Sequence, residues 1–321
     1  MKHTIGRILI LGLLVGLGCQ GNDTKRTGGN EITEGTITIS GAWALYPMAV
    51  KWAEEFQNLH PGVKIDVAAG GAGKGMADAM AGIADIGAVS RDLYPAEIER
   101  GAWGIPVVED AVVPTINEEN PALDELLRTG ATREAFIGIW VTGHIKIWGA
   151  VIKGGGERPI RVYTRSDACG AAETWAKYLG KQQDDLLGVG VYGDPGVAEA
   201  IKRDELGIGF NNINYAYDPT TREPIAGIRV LPIDLNGNGR IDANEDFYGN
   251  RDEIVKAIAS GEYPSPPARD LYFVFRGKPE KKVVVEFIRW TLTVGQRYVA
   301  ETGYVNLSDE KLKEGLRKLA E

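Results

Sequence analysis

Histidine and cysteine are scarce in this chain, with 3 of one and 2 of the other in 321 residues. His3 falls in the N-terminal leader, so only His60 and His144 remain as possible general bases, and neither sits in a catalytic motif. The cysteines are Cys19, at the end of the leader, and Cys169, so no disulfide between the two is expected. Basic residues are in deficit too. Lys and Arg number 36 against 44 Asp and Glu, a formal charge of -8, which argues against a duplex nucleic-acid binder. A small anionic ligand is still allowed, because local dipoles and one or two placed cations decide that case. The apolar run at 8–17 is shorter than the roughly 20 residues that span a bilayer, which disfavours a permanent transmembrane anchor.

What is present is ample for folding. With 44% hydrophobic and 25% charged residues the chain can bury a sizeable core, and its length fits two domains. Lys2 and Arg7 before the apolar run give residues 1–19 the build of a signal peptide. Val15-Gly16-Leu17-Gly18-Cys19 resembles a lipobox, although Gly16 stands where leucine is usual. On that reading Cys19 carries the lipid, residues 20–35 form a flexible tether, and the protein is exported and membrane-anchored. From Thr36 onward short apolar strands alternate with helical segments, the pattern of an α/β fold with largely parallel sheet. Strands are expected at 37–39, 63–68 and 271–275, and helices at 47–59 and 282–298. Asp110 to Pro114 is an extended apolar segment suited to a crossing between two lobes.

Three segments share one design, a strand, a turn of small residues and a helix start. They are residues 40–47, 70–76 and 165–173. Each helix start offers unpaired N–H groups and partial positive charge, so several aimed at one point would hold a desolvated anion. Arg165 supplies a formal cation with a bidentate fork, and replacing it by alanine is expected to abolish binding while sparing the fold. Two glycine motifs are set aside. Lys74 is followed by Gly75, so 70–75 is no Walker A loop; 188–193 has dinucleotide spacing but no ribose acid follows.

Together with Ala84-Asp85-Ile86-Gly87, Ile145 to Gly149, Gly207 to Phe210 and Gly303-Tyr304-Val305, these turns resemble the periplasmic phosphate-binding proteins of ABC transporters, from Thr36 to the end of the chain. The resemblance implies a two-lobe type II periplasmic binding protein fold, each lobe a mostly parallel sheet flanked by helices. Lobe 1 would comprise 36–113 and 269–321, and lobe 2 would comprise 114–268. It further implies a small oxyanion, phosphate first, in the interlobe cleft, a membrane permease as partner and a monomer. Carried over position by position, Ala44, Leu45, Tyr46, Ala72, Gly73, Ser90, Arg91, Arg165, Cys169, Gly170 and Ala171 meet the anion, with Asp167 orienting Arg165. Ala72, Cys169 and Ala171 replace hydroxyl residues usual in that family, so sulfate, molybdate, tungstate or a phosphorylated small molecule stay open. An anion sensor working through a membrane partner is the second reading. A Cys169-dependent phosphoester hydrolase is the third, weakened because Arg165 precedes the cysteine rather than following it.

Residues 234–245 match the twelve-residue EF-hand loop at every chemically required position. Oxygen ligands fall at Asp234, Asn236, Asn238, the Arg240 carbonyl, Asp242 and Glu245, with Gly239 at the sharp turn. A strand precedes it in place of the usual helix, so a single structural Ca2+ bracing lobe 2 is expected.

Overall fold

The structure, a computed structural model, describes residues 34–321 apart from Lys153. The leader, most of the tether and Cys19 lie outside the described residues. β1 (Gly35–Gly41) passes through a 3-10 turn at Trp43–Leu45 into α1 (Tyr46–Leu59), and β2 (Val63–Ala69) leads into α2 (Ala72–Ala81). β3 (Ile86–Val89), α3 (Pro95–Glu99) and the long β4 (Ala102–Asn117) follow. Then come α4 (Leu123–Thr129), α5 (Arg133–Trp140), β5 (Arg161–Arg165), α6 (Gly170–Tyr178), β6 (Val189–Val191), α7 (Gly193–Lys202) and β7 (Gly207–Asn212). β8 (Ile228–Val230), α8 (Arg251–Ser260), β9 (Ala268–Arg276), α9 (Lys282–Thr291) and α10 (Asp309–Ala320) complete the described chain.

Local chemistry explains the elements that matter for the site. α1 starts with Pro47 in its first turn, where a missing N–H costs nothing, and buries Met48, Trp52 and Phe56 along one stripe. Trp52 then donates its indole N–H to the Gly295 carbonyl, tying the C-terminal region to the first lobe. α6 is capped by Cys169, whose Sγ accepts from the Ala172 N–H at 3.4 Å.

The strand order is β2-β1-β3-β9-β4-β7-β5-β6, with β8 pairing on β4. β4 serves both lobes: it pairs with β9 up to Ala111 and with β7 from Val112. The switch therefore falls two residues before the expected boundary at 113. One apolar core contains Ile39, Trp52, Ile105, Phe273 and Phe287, and the other Val113, Trp140, Trp175, Phe210 and Tyr263. The expectation of mostly parallel lobes needs correcting. β1 pairs in parallel with β2 and β3, and β5 with β6 and β7, but all pairings of β4 and β9 are antiparallel. These two strands carry the chain between lobes in opposite directions, which forces the antiparallel centre.

Candidate functional site: helix starts facing across the lobes

The turns singled out in the sequence meet. Gly73, in the first turn of α2, donates its N–H to the Ala168 carbonyl just before α6, at 3.1 Å. A Cβ on Gly71 would lie 2.9 Å from Asp167 Oδ2, and one on Gly170 would lie 2.2 Å from Ser90 Oγ. Glycine is required at 170 because only a bare Cα lets α6 of one lobe start against the end of β3 in the other. Trp43 bridges the same gap, packing edge-on against Tyr192 and Tyr215 with ring centroids 6.3 and 6.4 Å apart. The Tyr215 hydroxyl donates to the Trp43 carbonyl at 3.2 Å.

Not every predicted donor is free. The N–H of Leu45 bonds the Ala42 carbonyl and that of Tyr46 the Trp43 carbonyl, while Cys169 N–H goes to Gln183 Oε1 and Gly73 N–H to Ala168. The backbone N–H groups of Ala44, Ala72, Gly170 and Ala171 have no acceptor among the described residues. The last three lie at helix starts, where no preceding turn supplies a carbonyl. Arg91 does not join them. Both its terminal nitrogens bond Glu97, at 2.9 and 2.7 Å, and its guanidinium stacks on Tyr94 in a cleft of about 520 Å³ that Thr174 and Arg269 also line. The chain bends at Arg91, just past the end of β3, so Ser90 meets Gly170 while Arg91 turns to Glu97.

Arg165 lies deeper than its sequence position implied, with its side chain 0% exposed. Its Nε and Nη2 bond the two oxygens of Asp167 at 2.8 and 2.6 Å, and Nη1 bonds Asp194 Oδ2 at 2.6 Å. Burial works against the charge, but the adjacent Asp194 and Asp167 outweigh it and raise the guanidinium pKa above its ordinary value. The expectation that the fold is indifferent to Arg165 is therefore corrected, because its loss strands two buried carboxylates. Asp167 orients Arg165 and also accepts the Gly193 N–H at 3.1 Å. Burial pushes the Cys169 thiol up to about 12, against the pull of Arg165, so the sulfur is a protonated cap and no thiolate nucleophile.

Sequence reasoning missed Asp194, Asp110 and Arg269. Asp194 lies in the first turn of α7, directly after the glycine motif set aside as accidental; that motif is a fourth strand-turn-helix unit facing the site. Arg269 donates to Asp110 at 3.0 Å, to Thr174 Oγ1 at 2.9 Å, to the Gly170 carbonyl and to Asn212. It thus links both crossing strands to the start of α6. Burial raises the Asp110 carboxyl to about 6, more than Arg269 lowers it.

The second constellation closes on itself as a loop, its side-chain oxygens held by backbone and amide donors of the same twelve residues. Asp234 accepts the N–H groups of Gly237 and Gly239 at 2.8 and 2.9 Å, and Glu245 accepts those of Leu235, Asn236 and Asp242 at 3.0 to 3.2 Å. Asn236 and Asn238 accept from the N–H groups of Asn238 and Arg240. The Ile241 N–H bonds the Arg128 carbonyl at 2.9 Å, pinning the loop to the end of α4. Asp242 Oδ1 pairs with Arg240 Nε at 2.7 Å while its Oδ2 accepts from the side-chain amides of Asn236 and Asn238 at 3.1 and 2.7 Å, and among the described residues no three His, Cys, Asp or Glu side chains are grouped as a metal site.

A mixed sheet shared by two lobes, with helix starts facing across the interface, defines a two-lobed solute-binding architecture of type II. The chain belongs to the PBP superfamily, whose domain model matches residues 27–294. It is 25% identical to the phosphate-binding protein PstS of Xylella fastidiosa, covering 93% of this chain and 89% of that one. It is 27% identical to PstS of Methanocaldococcus jannaschii, covering 97% and 93%. Among solved structures, a putative phosphate ABC transporter substrate-binding protein with bound phosphate from Clostridium perfringens superposes with a TM-score of 0.70 at 21% identity, over 85% of this chain and all of that one. An ABC-type phosphate transport receptor from Vibrio cholerae gives 0.61 at 20% identity, over 84% of this chain and all of that one.

Proposed function

We propose that this protein is the extracytoplasmic solute-binding component of an ABC transporter and captures an inorganic oxyanion, phosphate first. One observation carries the reading: unpaired N–H groups of Ala72, Gly170 and Ala171 lie at helix starts brought together across the lobes, close to the buried Arg165. The names of its relatives favour phosphate. The test is calorimetric titration of the purified chain with phosphate, sulfate, molybdate and tungstate. Micromolar or tighter binding of at least one is expected, and heat from none of them would remove the proposal. Gly170→Val, which drives a side chain into Ser90, should abolish the signal.

Binding without catalysis is part of the same reading, and the protonated, capping Cys169 counts against a phosphoester hydrolase. The lipobox-like stretch supports attachment through lipid on Cys19, with the protein acting as a monomer outside the cytoplasm. Cys19→Ala should shift the protein from the membrane fraction to the soluble one.

Calcium at 234–245 belongs to the proposal as a structural brace. The motif is all oxygen, suited to a hard cation, and Asp234 and Glu245 are buried with backbone N–H groups as partners. Asp234, Asn236, Asn238, Arg240, Asp242 and Glu245 would hold the ion. Chelator should lower Tm in the wild type and leave Asp234→Ala unmoved, whereas an unchanged wild-type Tm removes calcium.

A further inference from the structure

We propose that Arg251 is a spring that biases the two lobes apart, so that a guanidinium separate from the helix starts sets how tightly they hold their ligand. The inference takes its ligand from the oxyanion reading above and its physics from the interface between the lobes.

Each lobe supplies one half of the contact. Arg251 is the first residue of α8, which lobe 2 holds by burying Ile254, Ala257 and Ile258 in the core of Trp140 and Phe210. Its own N–H bonds the Arg222 carbonyl at 2.8 Å. From lobe 1 comes the turn 301–304, fixed by Tyr304 in the core of Trp52 and Phe273 and by backbone bonds between Val305 and Glu109 at 2.9 and 3.0 Å. The turn lies directly on the arginine: a Cβ on Gly303 would stand 2.6 Å from Arg251 Cδ and 2.8 Å from its Nε. Only glycine permits that approach at a φ of 82°.

What the turn covers, it does not satisfy. Nη2 donates to the Glu301 carbonyl at 3.1 Å, but Nε and Nη1 are shut off from solvent with no acceptor among the described residues. Asp252 Oδ1 stands 4.0 Å from Nε, and its Oδ2 is committed to Arg222. Burial lowers the guanidinium pKa below its ordinary value, with Asp252 opposing and Arg222 adding to the effect. A charged donor buried without a partner loses its hydration and gains nothing in exchange. Withdrawing the turn lets water reach Nε and Nη1, so the penalty belongs to the closed arrangement alone. Contacts elsewhere across the interface, Gly73 to Ala168 and Lys177 to Asp92, favour closure, and Arg251 works against them. A ligand that needs closed lobes then binds with an apparent affinity reduced by that bias.

The test combines small-angle scattering of the ligand-free purified chain with calorimetric titration by phosphate, on wild type, Arg251→Met and Asn214→Asp. Methionine fills the space without the charge. Asn214 Oδ1 lies 2.8 Å from the same Gly303 Cβ position, so aspartate there offers the guanidinium a counter-charge whose pull is strongest when the lobes exclude water. Both variants should have a smaller radius of gyration without ligand than wild type, and both should bind phosphate at least about fivefold more tightly. Unchanged or weaker phosphate affinity in folded Arg251→Met overturns the proposal, as does an unchanged radius of gyration. If circular dichroism shows that Arg251→Met does not fold, Asn214→Asp decides by the same two readings. Should wild type give no heat with phosphate or sulfate, the oxyanion reading has failed, and the radii of the ligand-free proteins still decide whether Arg251 holds the lobes apart.

Discussion

Replacing Arg165 by alanine should damage the fold as well as the site, because its guanidinium is sealed between Asp167 and Asp194 with no solvent exposure. Truncation leaves two carboxylates buried without a counter-charge, and breaking a buried pair in this way costs about 3 to 5 kcal/mol. With an m-value of about 3 kcal/mol/M in urea, the unfolding midpoint should fall by about 1 to 1.7 M. Asp194→Asn in the same background removes one stranded charge while keeping an acceptor for the Asn212 N–H, so it should restore part of the lost midpoint. Urea titration followed by far-UV circular dichroism on wild type, Arg165→Ala and the double variant reads both effects. The reasoning is refuted if Arg165→Ala unfolds within about 0.3 M of wild type, or if Asp194→Asn adds to the damage.

Three further outcomes follow from buried titratable groups. With its thiol near 12, Cys169 in a Cys19→Ala background should react with an aryl disulfide at pH 8 about a thousandfold more slowly than an ordinary thiol, and at the ordinary rate in denaturant. Asp110 rises from 3.8 to about 6 on folding, so between those values the folded chain holds a proton the unfolded chain has lost. Its contribution to stability therefore falls as pH rises through that window, and Asp110→Asn should flatten that part of the stability curve when urea midpoints are taken from pH 4 to 7. Arg251 is buried with one backbone hydrogen bond, to the Glu301 carbonyl, and Nε and Nη1 unsatisfied among the described residues. Arg251→Met should leave Tm unchanged or raise it, since burying an incompletely paired guanidinium costs more than it returns.

The strand-turn-helix units were legible because each is local. Glycines and small residues mark the turns, Pro47 marks the start of α1, and apolar spacing marks its buried face. The crossing at Asp110 to Pro114 was legible as an apolar extended run, and it is the middle of β4. The charge network was not, because it joins residues remote in sequence and leaves no periodic trace. Arg165 and Asp194 are 29 positions apart, and Asp110 and Arg269 are 159 apart. Arg91 misled for a related reason. Adjacency to Ser90 brought it close in sequence, but the chain bends at Arg91 and its guanidinium is claimed by Glu97 six positions on.

The indole of Trp43, wedged edge-on between two tyrosines of the other lobe, gives this protein an optical reporter of its own. Parting the lobes would wet that ring and redden its emission, whereas Trp52, Trp140, Trp148 and Trp175 stay inside their cores. Ligand occupancy could then be followed by stopped-flow fluorescence without attaching a dye, with Trp43→Phe as the dark control.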